Sequence, residues 1–374
     1  MSNRFRLTLA QLNPTVGDIA GNAAKARDAW EQGRAAGADM VMLPEMFLVG
    51  YQTQDLIAKP AFERDVAGTL AQLATDCADG PILGIGGPLR EGDKLHNAYF
   101  VMKGGKVIAT TRSPEKAARL KTLGVTPLIY NGDFNTAMQE SLANAELILT
   151  SIPPQDNGDP FLNNLPRPFL ALTPKAKWIG YLSATSVYGD RQGQWAFEDE
   201  LLRPLTRRGK NRANAEIEWL ETGAPVHIFR LPGIYGPGRN PFGRLREGKA
   251  RAVIKPGHVV NRIHLNDIVS ALLASIDRPD PLKIYNIADG HPATPQEVLN
   301  FAADLIGAPK PPQLDHATAD ISDMARSFYK ETKRIDIRRA KRDLGWTPRY
   351  DNFRQGLMAT LKEERGDDGA VYLS

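Results

Sequence analysis

Hydrophobic and polar positions along this chain follow two rhythms, one of period two and one of period 3.6, and they exchange in a regular order. Residues 5–10 alternate, with Phe5, Leu7 and Leu9 against Arg6 and Thr8, and predict a strand. Residues 22–36 are Ala-rich, and Gly37 stands where a helix would end. Met40 to Leu43 form a short apolar run of the buried parallel type, closed by Pro44-Glu45. A helix is predicted over 62–77 and a strand over 82–85. A hairpin is predicted from 97–102 and 106–111, turned by Gly104-Gly105.

From Ser113 the pattern settles into strand-then-helix alternation. The first helix is capped by Ser113 and opened by Pro114, whose missing N–H costs nothing at that position. Strands are predicted at 126–129, 147–151, 178–183, 226–231 and 284–287. Helices are predicted at 134–143, 208–221, 265–276, 294–306 and 353–362. Such alternation implies a parallel, doubly wound sheet. The Pro-rich residues 308–313 read as a surface loop, and the Gly/Asp-rich tail after Arg365 as frayed.

Composition narrows the function classes. A net charge of +4 (47 Lys and Arg against 43 Asp and Glu), with no basic tract, gives no electrostatic footprint for nucleic acid. The single cysteine, Cys77, excludes an intramolecular disulfide or a multi-cysteine zinc site and fits a reducing compartment. The six histidines are scattered without metal-ligand spacing, so no metal is expected. No run approaches the ~20 apolar residues of a membrane helix, and the start lacks an apolar signal core. The expectation is a cytoplasmic protein with a small-molecule partner, no nucleic-acid or membrane partner, and an oligomeric state that the sequence leaves open.

AQLNPTVGD at 10–18, LPEMFLVGY at 43–51 and Asn97-Ala98 before the Gly104-Gly105-Lys106 turn carry a family resemblance. Residues 1–108 resemble the opening of a carbon-nitrogen hydrolase (nitrilase) domain, of the kind that hydrolyses glutamine in bacterial NAD synthetases. The resemblance makes Glu45 the general base for a cysteine nucleophile, with a lysine steadying the tetrahedral intermediate. That lysine and cysteine would fall downstream, where the chain has become something else. Cys77 sits in a helical pattern and reads as a small core residue. Glu45 then reads as a carboxylate left from lost chemistry.

Five further segments occur in family order: YLSATSVYGD at 181–190, FRLPGIYGPGR at 229–239, RIHLNDI at 262–268, YNIA at 285–288 and RAKRDLGWTP at 339–348. They make residues 109–374 similar to the extended or atypical short-chain dehydrogenase/reductases, the NAD-dependent epimerase/dehydratase type. The implied cofactor is NADP or NAD. Such a domain opens with a strand, a glycine-rich turn and a helix whose free N–H groups hold the pyrophosphate. This chain has no such turn. Residues 84–89 lack the third glycine, and residues 243–250 approach a phosphate loop but put Ala250 at the metal-binding hydroxyl.

By the same resemblance Thr111, Arg112 and Ser113 follow the second strand of the fold, where the adenosine ribose lies. Arg112 there suits a 2′-phosphate and leans toward NADP, or is a surface arginine. Asp133, Ser151 and Pro153 would line the adenine and ribose side, although Asp133 is also placed to cap a helix. Active relatives use a Ser/Thr and a Tyr-x-x-x-Lys to move the proton as hydride moves. Here the serine position falls on Ala184, with Ser183, Thr185 and Ser186 close by, and the tyrosine and lysine positions fall on Arg208 and Arg212. A guanidinium keeps its proton at neutral pH, so it cannot replace the tyrosine. The two arginines either bind an anionic substrate or form a solvated face. Tyr188 and Tyr235 read as packing residues.

The expected fold is therefore α/β: a Rossmann-like doubly wound parallel sheet lacking its first βα unit, preceded by a partial nitrilase-type αββα segment. Residues 106–112 would serve both as a hydrolase strand and as the second strand of the reductase family. The missing strand is central in that family's order. Its slot beside residues 147–151 is filled by residues 5–12 or 82–86, or else the sheet is split.

Overall fold

A computed structural model describes residues 5–365 except 52, 54, 55, 58, 79, 92, 93, 103–106, 123, 124, 323–325 and 327. The chain divides into two compact units, Met1–Asn131 and Gly132–Ser374. The first unit includes the βα segment over residues 108–122 that follows the hydrolase-like stretch.

In the first unit β1 (Leu7–Leu9), β2 (Met40–Met42), β3 (Ile82–Glu91) and β4 (Lys94–Met102) form one sheet in that order. β1–β2 and β2–β3 are parallel, and β3–β4 antiparallel. Helices α1 (Ile19–Ala35) and α2 (Pro60–Asp76) pack with Val41, Leu83 and Ile85 around Trp30, whose indole N–H donates to the Pro81 carbonyl at 2.7 Å. Asp18 caps α1 by accepting from the Gly21 N–H. The hairpin predicted from 97–102 and 106–111 is corrected here. β4 pairs with β3, which runs on through Gly86-Gly87-Pro88. β5 (Ile108–Thr111) instead pairs parallel with β6 (Thr126–Ile129), joined through α3 (Pro114–Thr122). The Gly104-Gly105 turn and Lys106 lie outside the described residues, as does the tail after Arg365.

The second unit opens with α4 (Thr136–Asn144) and β7 (Leu147–Thr150), then α5 (Pro160–Asn163), α6 (Phe169–Leu172) and β8 (Trp178–Ala184). After β9 (Trp195–Ala196) come α7 (Arg207–Glu221), β10 (Val226–Leu231), β11 (Gly233–Tyr235), α8 (Phe242–Arg246), β12 (Ala252–Ile254), β13 (Arg262–His264) and α9 (Leu265–Asp277). The chain closes with β14 (Ile284–Asn286), α10 (Pro295–Ile306), β15 (Gln313–Asp315), β16 (Arg334–Ile335), α11 (Arg338–Leu344) and α12 (Phe353–Glu364). The main sheet is parallel in the order β14-β10-β8-β7, and β11–β13, β12–β15 and β9–β16 pair separately. β10 is buried at every position, as a central parallel strand should be.

The central prediction about the slot resolves as a split. Neither β1 nor β3 pairs with β7; both pair with β2. Among the described residues β7 has β8 as its one strand partner and leaves Leu147 and Leu149 51% and 52% exposed. The family order with its first strand deleted leaves two pieces, one of the second and third strands and one of the fourth onward. The β5–β6 pair and the β7–β8–β10–β14 sheet match those pieces.

Candidate functional site

In open α/β sheets ligands bind outside the carboxyl ends of the strands. At that end of β8 the chain enters a 3-10 turn, Thr185–Tyr188, and reverses at Gly189, whose φ of +68° and approach to the Arg203 carbonyl leave no room for a Cβ. α7 packs on the turn and on β8, and position 209 must be glycine-small because a Cβ would lie 2.9 Å from the Ser186 carbonyl.

Beneath this surface runs a buried polar network. The Ser183 hydroxyl donates to the Glu216 carboxylate, and Arg230 on β10 forks onto that carboxylate with contacts of 2.7–3.2 Å. Arg230 also donates to Tyr188 Oη at 2.9 Å and to the Glu198 carbonyl at 3.0 Å. Tyr188 donates to Asn286 Oδ1 at 2.7 Å, and the Asn286 N–H donates to Glu198 Oε1 at 3.0 Å. Burial pushes the Tyr188 hydroxyl up to about 12 and raises the Glu198 carboxyl. The network holds α7, β8, β10 and β14 together and engages the hydroxyls of both Ser183 and Tyr188.

Of the residues singled out from the sequence, Thr185 is buried in the 3-10 turn at 8% exposure, with no side-chain hydrogen bond among the described residues. Arg212 lies half-buried on α7. One of its nitrogens donates to Tyr181 Oη at 3.0 Å and to the Leu182 carbonyl at 2.9 Å, with the guanidinium over the Tyr181 ring. Arg208, one turn earlier, is exposed. His264, at the start of α9, accepts from the Asn266 N–H, and burial pushes it down to about 4.

The residues expected on the cofactor fall into two sets. Thr111 Oγ1 accepts from the Ser113 N–H, Ser113 Oγ caps α3 by accepting from the Lys116 N–H, and Arg112 is exposed; all three belong to the first unit. Asp133, Ser151 and Pro153 are exposed in the second. α4 is capped by Asn135, which accepts from the Met138 N–H at 2.9 Å, rather than by Asp133.

These residues do not fit a dinucleotide diphosphate. β7 leads into an irregular stretch and then the four-residue α5, whose first N–H groups are already taken by Asp159 Oδ1 at 2.8 and 3.3 Å. β8 leads into a 3-10 turn. Neither strand is followed by the free helix N-terminus that a pyrophosphate requires.

In the first unit Glu45 lies exposed at the end of β2, in a turn laid across β3: Leu48 N–H donates to the Gly86 carbonyl and Gly86 N–H to the Pro44 carbonyl. Cys77 is 1% exposed at the end of α2, and burial pushes its thiol up to about 11, the opposite of an activated nucleophile. Among the described residues no three His, Cys, Asp or Glu side chains are grouped to hold a metal, and no helix is long and apolar enough to cross a membrane.

Sequence reasoning missed the partnership of Glu216 with Arg230 and Ser183. Its one signal was an acidic residue on the helix stripe of Arg208 and Arg212.

Comparison with known proteins follows the division of the fold. The carbon-nitrogen hydrolase family matches residues 6–115. The glutamine-dependent NAD(+) synthetase of Rhodobacter capsulatus is 62% identical over 109 residues, 29% of this chain and 20% of that protein, so the chain spans about a fifth of the length of that relative. Protein YeeZ of Escherichia coli K12 is 34% identical over 198 residues, 50% of this chain and 70% of its own length. The solved structure of a functionally unknown conserved protein from Silicibacter pomeroyi is 42% identical, with a TM-score of 0.66 over 69% of this chain and 90% of that one. The fold is shared with dTDP-glucose 4,6-dehydratase of Bacillus anthracis, solved in complex with NAD, at 19% identity and TM-score 0.55 over 70% of this chain and 89% of that one. The chain thus belongs, through its larger unit, to the family of protein YeeZ, with a Rossmann-type epimerase/dehydratase fold, and carries a partial carbon-nitrogen hydrolase domain in front of it.

Proposed function

We propose that this chain is an epimerase/dehydratase-like atypical short-chain dehydrogenase/reductase that keeps a small-molecule site at the carboxyl end of β8 and no longer carries out hydride chemistry. NAD(P) is held orders of magnitude more weakly than in an intact domain. The observation behind this reading is the open edge of β7: where the family places a strand, a glycine turn and a helix, β7 has no second strand partner among the described residues. Losing that cradle forfeits several hydrogen bonds to charged oxygens, each worth roughly 1.5–3 kcal/mol.

The proton relay supports the same reading. Ser183 is spent on Glu216 and Tyr188 on Asn286, and the helix positions of the tyrosine and lysine carry guanidinium groups. Thr185, Arg208 and Arg212 remain for ligand recognition. Against glutamine hydrolysis stands the chain's single cysteine, Cys77, whose buried thiol is pushed up to about 11.

The test is absorbance at 340 nm with NAD and either UDP-glucuronic acid or dTDP-glucose, sugar nucleotides of the kind that the fold neighbours handle. No nicotinamide reduction and no sugar-nucleotide conversion are expected; turnover of either would overturn the reading.

A further inference from the structure

We propose that Tyr329, packed against the imidazoles of both His258 and His316, is a proton-sensitive latch: it holds residues 329–335 as a strap against the turn over residues 189–193, and protonation of His258 loosens that strap. The turn follows the carboxyl end of β8, so the proposal rests on the small-molecule reading above and names how access to that site is regulated. The strap is tied down by polar bonds rather than by a long ladder. The Thr332 N–H donates to Asp190 Oδ1 at 2.8 Å, and the Thr332 carbonyl accepts from the Arg191 and Gly193 N–H groups at 3.1 and 2.9 Å. Lys333 Nζ donates to the Gly189 carbonyl at 2.7 Å. Lys255, which follows β12, donates to the Tyr329 carbonyl, and the Val259 N–H donates to Thr332 Oγ1 at 3.2 Å.

The latch sits where β12 and β15 end together. These strands pair in parallel, and the His316 N–H donates to the Ile254 carbonyl, so Lys255 and His316 leave the pair side by side. The Tyr329 ring centroid lies 4.9 Å from that of His258 and 5.0 Å from that of His316. His258 is 2% exposed, and its Nδ1, like His316 Nε2, is buried with no hydrogen-bond partner among the described residues. A proton arriving there brings a charge with no acceptor to receive it. Lys255 on the same loop, His316 after β15 and Arg262 of β13 all disfavour a further cation, and Asp190 of the turn is the one carboxylate that favours it. Burial first, and Lys255 next, push His258 down to about 4, against about 6.5 for a solvated imidazole. The closed strap therefore binds fewer protons than the open one. Its advantage is complete above pH 6.5 and is lost as pH falls toward 4. Asp190 does not titrate in this window: against the upward push of burial, the Thr332 and Gln192 N–H groups hold its carboxyl below the usual range.

The experiment is hydrogen exchange of the full chain, with rates corrected for the intrinsic effect of pH. The Arg191, Gly193 and Thr332 amides should exchange faster than the Ile228 amide of β10 at every pH, as a local opening requires. Their protection should fall by about 50-fold between pH 7 and pH 4.5, and by less than about threefold in His258→Gln. A variant-free check is the ring C–H resonance of His258 in the parent protein, which should still report a neutral imidazole at pH 5.5. Protection equal to that of Ile228, protection independent of pH, the same fall in His258→Gln, or a His258 resonance that titrates near 6.5 would each overturn the latch. None of these measurements involves a ligand or the 340 nm assay, so failure of the latch leaves the small-molecule reading to be judged separately.

Discussion

Glu216 of α7 and Arg230 of β10 form a forked ion pair with a closest contact of 2.7 Å, both side chains 3% exposed or less. With Ser183 and Tyr188 added, it is satisfied on every side, so it fixes the helix to the carboxyl end of the sheet where the site lies. A buried pair of this kind is strongly destabilising when halved and close to neutral when replaced whole. Glu216→Ala should therefore cost about 3–5 kcal/mol in chemical denaturation. The double variant Glu216→Leu with Arg230→Met should recover most of that loss. A single-variant cost under about 1 kcal/mol would mean that the pair is solvated.

The turn carrying Glu45 depends on Gly86 in the same fashion. A Cβ there would lie 2.5 Å from the Met46 nitrogen and 2.7 Å from the Glu45 Cα, and Met46 already sits at a φ of +51°. Gly86→Ala is expected to destabilise the first unit by about 2 kcal/mol or more through forced backbone movement. Limited proteolysis should show new cleavage in residues 44–50, and an unchanged pattern would refute the close approach.

Asp289 gives a pH dependence with a definite sign. Burial raises its carboxyl to about 7, while in the unfolded chain it titrates near 3.9. The folded state thus holds an extra proton between these values. The stability it contributes is present below pH 4 and lost as pH rises to 7, at about 1.4 kcal/mol per unit. His258 and His264, both pushed down to about 4 by burial, act in the opposite direction, so the comparison must be differential. The stability of Asp289→Asn minus that of the parent should climb from pH 4 to 7 and then level; a flat difference would contradict the burial.

The free edge of β7 makes a prediction about association. Exposed apolar residues on an unpaired edge invite strand pairing between molecules. Leu149→Lys should change stability by no more than about 0.5 kcal/mol and reduce concentration-dependent light scattering. A loss of about 2 kcal/mol would show that Leu149 is covered.

Much of this architecture was legible in the residues. The runs that became β8 and β10 are apolar enough to demand burial on both faces. Thr294-Pro295 with Glu297 announces α10, where the capping box forms as the spacing implies. Other features resisted for physical reasons. Asp133 and Asn135 are equally good caps two residues apart, and only the backbone path selects Asn135. The two-residue β9–β16 pairing is too short to have a period. The length of β3 was hidden because Gly86-Gly87-Pro88 signals a break, although Gly86 is there to let the Glu45 turn approach. The ion pair of Glu216 with Arg230 is a tertiary fact that charge pattern alone does not reveal.

The missing cradle is the centre of the account, and fluorescence titration of the full chain with NADPH tests it most directly. Millimolar or undetectable affinity is the predicted result. A micromolar dissociation constant would contradict it, because neither β7 nor β8 is followed by a free helix N-terminus able to grip a diphosphate that tightly.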